Sequence, residues 1–222
     1  MAGGHLINAL DHYIYSTTVK SISVKLDQVI AHKVKLEILC GDIGNAYVNA
    51  YTNEKLYSIA GAEFCKAMKG SIVIIVRALY SLRRSSERWH NHLDDTLCSF
   101  NFKPTIYDNN VWIRHSEDGN SYDYVCIHGD NFMAVGKSAQ QIMDEIKSLY
   151  TVKAEGRPDY YLGNDYKKDK KGRLCVGSKK YIKEVLTRID SIFGTLRMYA
   201  NPSETRDNPK LDNSNTRGDK EH

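Results

Sequence analysis

The chain has 222 residues, of which 41% are hydrophobic, 26% charged and 10% aromatic, enough for one generous domain of about 100–200 residues. That composition excludes collagen-like, low-complexity and wholly disordered classes, and with no apolar run near the ~20 residues of a bilayer helix and no basic-then-apolar start, neither a membrane span nor a secretory signal is expected. A net charge of +4 permits a polyanionic partner without arguing for one, and five widely spaced cysteines without metal-ligand spacing point to buried thiols in an intracellular setting, cytoplasmic or nuclear.

No repeat and no Pro/Gly/Ser-rich linker interrupts the first ~195 residues. Ser16 and Thr17 can cap a helix in which Val19, Ile22, Leu26, Val29 and Ile30 recur at helical spacing up to about Lys33, predicting a buried stripe. Val34, Leu36, Ile38 and Cys40 then alternate with Lys35 and Glu37 as a strand with one inward face, stopping at Gly41-Asp42. Ile43-Gly44-Asn45 turns the chain into a short helix through Ala46, Tyr47 and Val48. Residues 71–76 form an apolar strand, and Ser85 or Ser86 can cap a helix that buries Trp89, Leu93, Leu97 and Phe100. Two apolar runs, 122–127 and 132–135, flank His128-Gly129-Asp130-Asn131, a composition that turns tightly.

Ser138 with Gln141 makes a capping box ahead of a helix carrying Ile142, Ile146 and Leu149. A second hairpin is expected around 167–173, joining 160–166 to 174–176, and Ser178 opens a last helix through Ile182, Val185, Leu186 and Ile189 that Gly194 closes. From Ala200 onward almost nothing is apolar, so a domain over 13–199 and a disordered polar tail over 200–222 are expected.

Strand, helix, hairpin, helix is the split βαβ order, an α+β fold with an antiparallel sheet and helices packed on one face. In that arrangement Asp42, at a strand end, and Asp130, in the hairpin turn, meet at one edge of the sheet. Two carboxylates there suit a hard cation such as Mg²⁺, and two such ions roughly 3.5–4 Å apart can activate an attacking hydroxyl and stabilise a leaving pyrophosphate. Each aspartate also has a purely structural reading, as a turn residue or a helix N-cap. Spacing alone leaves both open.

Four segments bear on that choice: CGDIGNAYVNAYTNEKLYSIAGAEF, RALYSLRRSSERWHNHL, YDYVCIHGDNFMAVG and YYLGNDYKKDKKGRLCVGSKKYIKEVL. In that order and at similar spacing they resemble the reverse-transcriptase domain of copia-type long-terminal-repeat retrotransposons, over about residues 13–212. The resemblance implies the palm and part of the fingers of a right-handed polymerase, RNA-directed DNA synthesis, Mg²⁺ or Mn²⁺ as cofactor, and RNA or DNA primer-template with deoxynucleoside triphosphates as partners. Carried over by residue, Asp42 matches the first metal-binding aspartate, with the Ile43 carbonyl as a further ligand. Tyr47 matches the aromatic gate beneath the nucleotide sugar, and the amides around Asn45 and Ala46 would hold triphosphate oxygens. Asp130 matches the first of the family's two adjacent aspartates, so the implied catalytic set is Asp42, Asp130 and Asn131.

Asn131 stands where the family carries the second of those aspartates, exchanging a charge for an amide that binds Mg²⁺ weakly. His128 replaces the usual aromatic, and Ser81 and 84–86 differ from the commoner glycine, glutamine and proline after Leu79-Tyr80. The triphosphate-clamping basic residues of the family's fingers lie upstream of the helix at 17–33, where this chain has a short non-matching stretch, so truncated fingers and impaired activity are expected. The rival reading is a catalytically inactive relic that at most binds nucleic acid non-specifically. Arg77, Arg83, Arg84 and Arg88 are the candidate nucleic-acid contacts, while Lys167, Lys168, Lys170, Lys171 and Arg173 crowd a hairpin tip that meets either phosphate or solvent. Leu162-Gly163 resembles a strand start near the primer, and His90 and His92, facing apart on a helix, read as surface residues.

Overall fold

The computed structural model describes residues 17–194. They fall into two compact units, the first running to Gly177 and the second beginning at Ser178. The ends expected at 13 and 199, and the polar tail, lie outside the described residues. In chain order the first unit contains α1 (Ser21–Val34), β1 (Glu37–Ile43), α2 (Ala46–Asn49), β2 (Tyr51–Ile59), β3 (Ile72–Arg77), α3 (Ser85–Ser99), β4 (Lys103–Pro104) and β5 (Val111–His115). It continues with β6 (Tyr122–His128), β7 (Asn131–Gly136), α4 (Ala139–Lys147), β8 (Val152–Gly156), β9 (Tyr160–Tyr161), β10 (Asn164–Lys168) and β11 (Leu174–Gly177).

An antiparallel six-stranded sheet in the order β4-β5-β6-β7-β1-β8 carries the unit. Its centre is β7, where Phe132, Met133, Ala134 and Val135 are all fully buried. Because side chains alternate along a strand, a run with no exposed position needs cover on both faces. Phe132 and Ala134 pack with Trp89, Leu93 and Leu97 of α3 and Ile142, Met143 and Ile146 of α4. Met133 and Val135 pack with Val24 and Ala31 of α1 and with Tyr161 and Tyr166. Helices therefore lie on both faces, not on one as the split βαβ pattern alone suggests.

α1 departs most from its sequence pattern. It begins four residues after Thr17, with Lys20 as an N-cap whose side chain makes no capping hydrogen bond and donates instead to the Tyr107 carbonyl at 3.0 Å. It buries Val24, Asp27, Gln28 and Ala31, while Ile22, Leu26 and Val29 are exposed. Small Ala31 and Val24 admit the helix close to the sheet, Asp27 accepts a hydrogen bond from Cys126 Sγ at 2.8 Å, and Gln28 donates to Met133 Sδ at 3.6 Å. Burial raises the pKa of Asp27, only partly opposed by the Cys126 hydrogen bond.

Smaller corrections follow local geometry. Ser138 makes no side-chain cap, and the Gln141 side chain reaches Glu117 instead, at 2.6 Å. Leu149 is exposed. Residues 160–166 are not one strand: Leu162 and Gly163, both at positive φ, turn β9 back onto β10. The strand at 71–76 is found as β3, paired with β2, which alternation broken by Asn53, Glu54 and Lys55 did not announce. In the second unit α5 (Lys179–Phe193) spaces Ile182, Val185, Leu186 and Ile189 helically, and Gly194 at φ +78° closes it by donating to the Asp190 carbonyl. Among the described residues no helix is long and apolar enough to cross a membrane.

Candidate active site

β1 and β7 pair so that Asp42 stands opposite Asn131, and the Ile43 amide donates to the Asp130 carbonyl at 2.8 Å. The two aspartates expected to meet are thus brought to one end of the sheet, Asp42 on β1 and Asp130 in the turn that leads into the adjacent β7. The tight turn of the β6–β7 hairpin needs a left-handed residue, which Gly129 supplies at φ +68°. That turn is pinned from α3: the buried Trp89 indole donates to the Gly129 carbonyl at 2.9 Å. Asn131 Nδ2 donates to Asp130 Oδ1 at 2.9 Å, so the uncharged amide holds its neighbour in place.

The electrostatics reflect crowding. Desolvation first, then the charge of Asp130, raises the Asp42 pKa, and Lys153 opposes both. Lys153 lies directly across from Asp42 in the β1–β8 register. Gly44 makes room for it, since a Cβ there would sit 2.9 Å from Lys153 Cε. The half-buried Tyr47 of α2 meets Tyr80 with ring centroids 4.5 Å apart and planes tilted by 59°. Partial burial, then Asp130, Tyr47 and Asp42, raise the Tyr80 phenol. Asn45 takes a left-handed conformation at φ +53° and Ala46 is buried, at the start of a single helical turn.

The four arginines divide. Arg77 donates to the Asn49 carbonyl at 2.8 Å and stacks 3.6 Å over Tyr51, and Arg84 pairs with Glu87 at 2.9 Å. Arg83 is exposed, and Arg88 is half-buried with a buried Nε that lacks a hydrogen-bond partner among the described residues. At the β10–β11 tip Arg173 is held by Asp169, while Lys167, Lys168, Lys170 and Lys171 are exposed. His90 is not a free surface residue but bridges Asn110 at 2.8 Å and Asp94 at 3.1 Å, and His92 is half-buried beside Trp89 and Tyr150. His128 keeps Nδ1 buried and without a hydrogen-bond partner among the described residues.

As a donor set, Asp42 and Asp130 are hard oxygen ligands of the kind that suit Mg²⁺. Among the described residues no group of three or more His, Cys, Asp or Glu side chains is placed to hold a metal. Sequence reasoning missed Lys153, Tyr80 and Trp89 as site residues. Lys153 has no local signal, whereas Tyr80 and Trp89 sat inside the segment that carries the resemblance.

The family described as reverse transcriptase (RNA-dependent DNA polymerase) matches residues 2–195. The chain belongs to that family. This reverse-transcriptase-family chain is 23% identical over 182 residues to a retrovirus-related Pol polyprotein from transposon TNT 1-94 of Nicotiana tabacum, covering 80% of the chain and 14% of that protein. It is 21% identical over 165 residues to a transposon Ty5-1 protein of Saccharomyces cerevisiae, covering 72% of the chain and 52% of the relative. It therefore spans only part of each curated relative. No solved structure matches it.

Proposed function

We propose that this domain is the palm, with part of the fingers, of a copia-type RNA-directed DNA polymerase, in which a primer 3'-hydroxyl attacks the α-phosphate of a deoxynucleoside triphosphate. The observation that carries the proposal is the placement of Asp42, on β1, beside Asp130, in the β6–β7 turn, tied by the hydrogen bond from the Ile43 amide to the Asp130 carbonyl. Asp42, Asp130 and the Ile43 carbonyl would hold Mg²⁺ or Mn²⁺. Bound divalent ions supply a more acidic attacking hydroxyl and neutralise charge on the leaving pyrophosphate.

The chain's own residues do the rest. Tyr47, backed by Tyr80, would exclude a 2'-hydroxyl by volume, and the Asn45 and Ala46 amides would receive triphosphate oxygens. Arg83 and Arg88 would meet primer-template phosphates, with Arg77 and Arg84 bracing the surface from within. Such a reaction belongs inside the cell, where deoxynucleotides are. Because Asn131 is engaged with Asp130 and brings no charge, the rate should fall by about 10²–10³ relative to a three-carboxylate site, the usual effect of removing one fixed electrostatic contact. That same observation favours, as second reading, a relic that folds and binds nucleic acid without chemistry.

Calorimetry with Mn²⁺, primer-template and deoxynucleotide, run beside primer extension on an RNA template, separates the two. Divalent binding lost in Asp42→Ala, with slow extension that rises in Asn131→Asp, is expected. Metal-independent nucleic-acid binding, unchanged in Asp42→Ala and without extension in Asn131→Asp, would overturn the polymerase reading in favour of the relic.

A further inference from the structure

β2 and β3 form a two-stranded sheet that the rest of the first unit covers on one side only. Val73 and Ile75 are half-buried, whereas Ile72, Ile74 and Val76, alternating with them, are 57–75% exposed. Tyr57 and Ile59 stand opposite Ile74 and Ile72 in the β2–β3 register and are as exposed, and Tyr51 extends the apolar face. Tyr51, Tyr57, Ile72, Ile74 and Val76 line a concave surface of about 750 Å³ whose charged side chains, Glu54 and Lys55, have opposite signs.

We infer that this face is a self-association surface, and that two copies of the chain pack hairpin face against hairpin face across a two-fold axis. Three arguments select a second copy. An isolated two-stranded sheet is marginal in water and gains stability from a cover on its apolar side, which a second hairpin supplies at the ~10 Å spacing of packed sheets. Six large side chains at this exposure present about 800 Å² of surface, the share that each partner gives to an interface of standard size. The lining carries no net charge to hold two copies apart. The outer face of α1 is a poorer candidate, because Ile22, Leu26 and Val29 share it with Lys25 and Lys33 and no acid, so like charges would oppose pairing. An interface in which each patch meets its own copy closes at two and does not propagate.

Sedimentation velocity on the full chain across about 1–100 µM, the range in which interfaces of this size begin to associate, should show a monomer–dimer equilibrium. Ile74→Lys should weaken it at least about tenfold, as loss of a central apolar anchor does, while Leu26→Lys on α1 should leave it unchanged. Ile74 is exposed, so the thermal melt of the variant should match the parent, and Tyr57→Ser, which adds no charge, provides a second disruption. A monomer throughout would overturn the inference and leave the face to a different polypeptide. So would a dimer that survives both hairpin substitutions, or one that Leu26→Lys abolishes.

Discussion

Replacing Asn131 with aspartate adds a charge at the most crowded point of the site. In the structure the Asn131 amide donates to Asp130 Oδ1 at 2.9 Å, and Asp42 lies opposite Asn131 in the ladder. The substitution removes a hydrogen bond to a charged group, worth about 1.5–3 kcal/mol. It also sets a like charge about 4–8 Å from Asp130, which at an effective dielectric near 20 repels by about 2–4 kcal/mol. These side chains are half exposed, so rotation and solvent reduce the sum, and a net loss of about 1–3 kcal/mol is expected without divalent ions. For a domain of this size each kcal/mol lowers the melting midpoint by about 2–4 °C.

The penalty exists only between ionised carboxylates. Asp42 already has a raised folded pKa, so the stability it adds is complete below its unfolded pKa and is lost as pH rises through the folded value. The gap between variant and parent should therefore be widest at neutral pH and close in acid. Saturating Mn²⁺ should raise the midpoint of the variant more than that of the parent, because three carboxylates bind a hard cation better than two. Melts in chelator and in Mn²⁺, at neutral and acid pH, measure all of this. A variant that melts with the parent in chelator at neutral pH would refute the coupling of Asn131, Asp130 and Asp42.

Trp89→Phe keeps a large ring in the core but deletes the donor to the Gly129 carbonyl; it should lose about 1–3 kcal/mol in urea unfolding, and divalent affinity should fall with it as the Asp130 turn loosens. Ser81 sits at φ +75° and is exposed, so Ser81→Gly should stabilise the fold by about 0.5–1 kcal/mol in thermal melts, and a loss would show that its side chain holds the loop. Buried Asp27 has a folded pKa raised above its unfolded value, which makes its contribution fade as pH rises through the folded pKa. Asp27→Asn should flatten the pH dependence of stability there, by up to about 1.4 kcal/mol per pH unit, as read from urea midpoints between pH 4 and pH 8; an unchanged slope would mean Asp27 stays ionised in the fold.

Local periodicity made several elements legible. The hairpin around Gly129-Asp130, the strand leading into Asp42 and the buried side of α3 each announce themselves within a dozen residues, and two carboxylates on a split βαβ frame have few places to go except together. The pattern in α1 was just as clear and pointed the wrong way. Periodicity reports that an apolar stripe exists, whereas which side of a helix meets the sheet depends on what the sheet presents, and here β7 and β6 present Met133 and Cys126 to Gln28 and Asp27.

By itself, then, the sequence determined the elements that bear the two aspartates, an uncharged Asn131 next to Asp130, and a family likeness that the match over residues 2–195 supports. Only the tertiary structure decided what surrounds them. Lys153 reaches Asp42 through strand register, Tyr80 reaches Tyr47 across 33 residues of chain, and Trp89 reaches Gly129 across 40. Such contacts arise when strands pair and helices dock, and no local spacing encodes them, because side chains distant in sequence become neighbours only once the apolar faces between them have been buried.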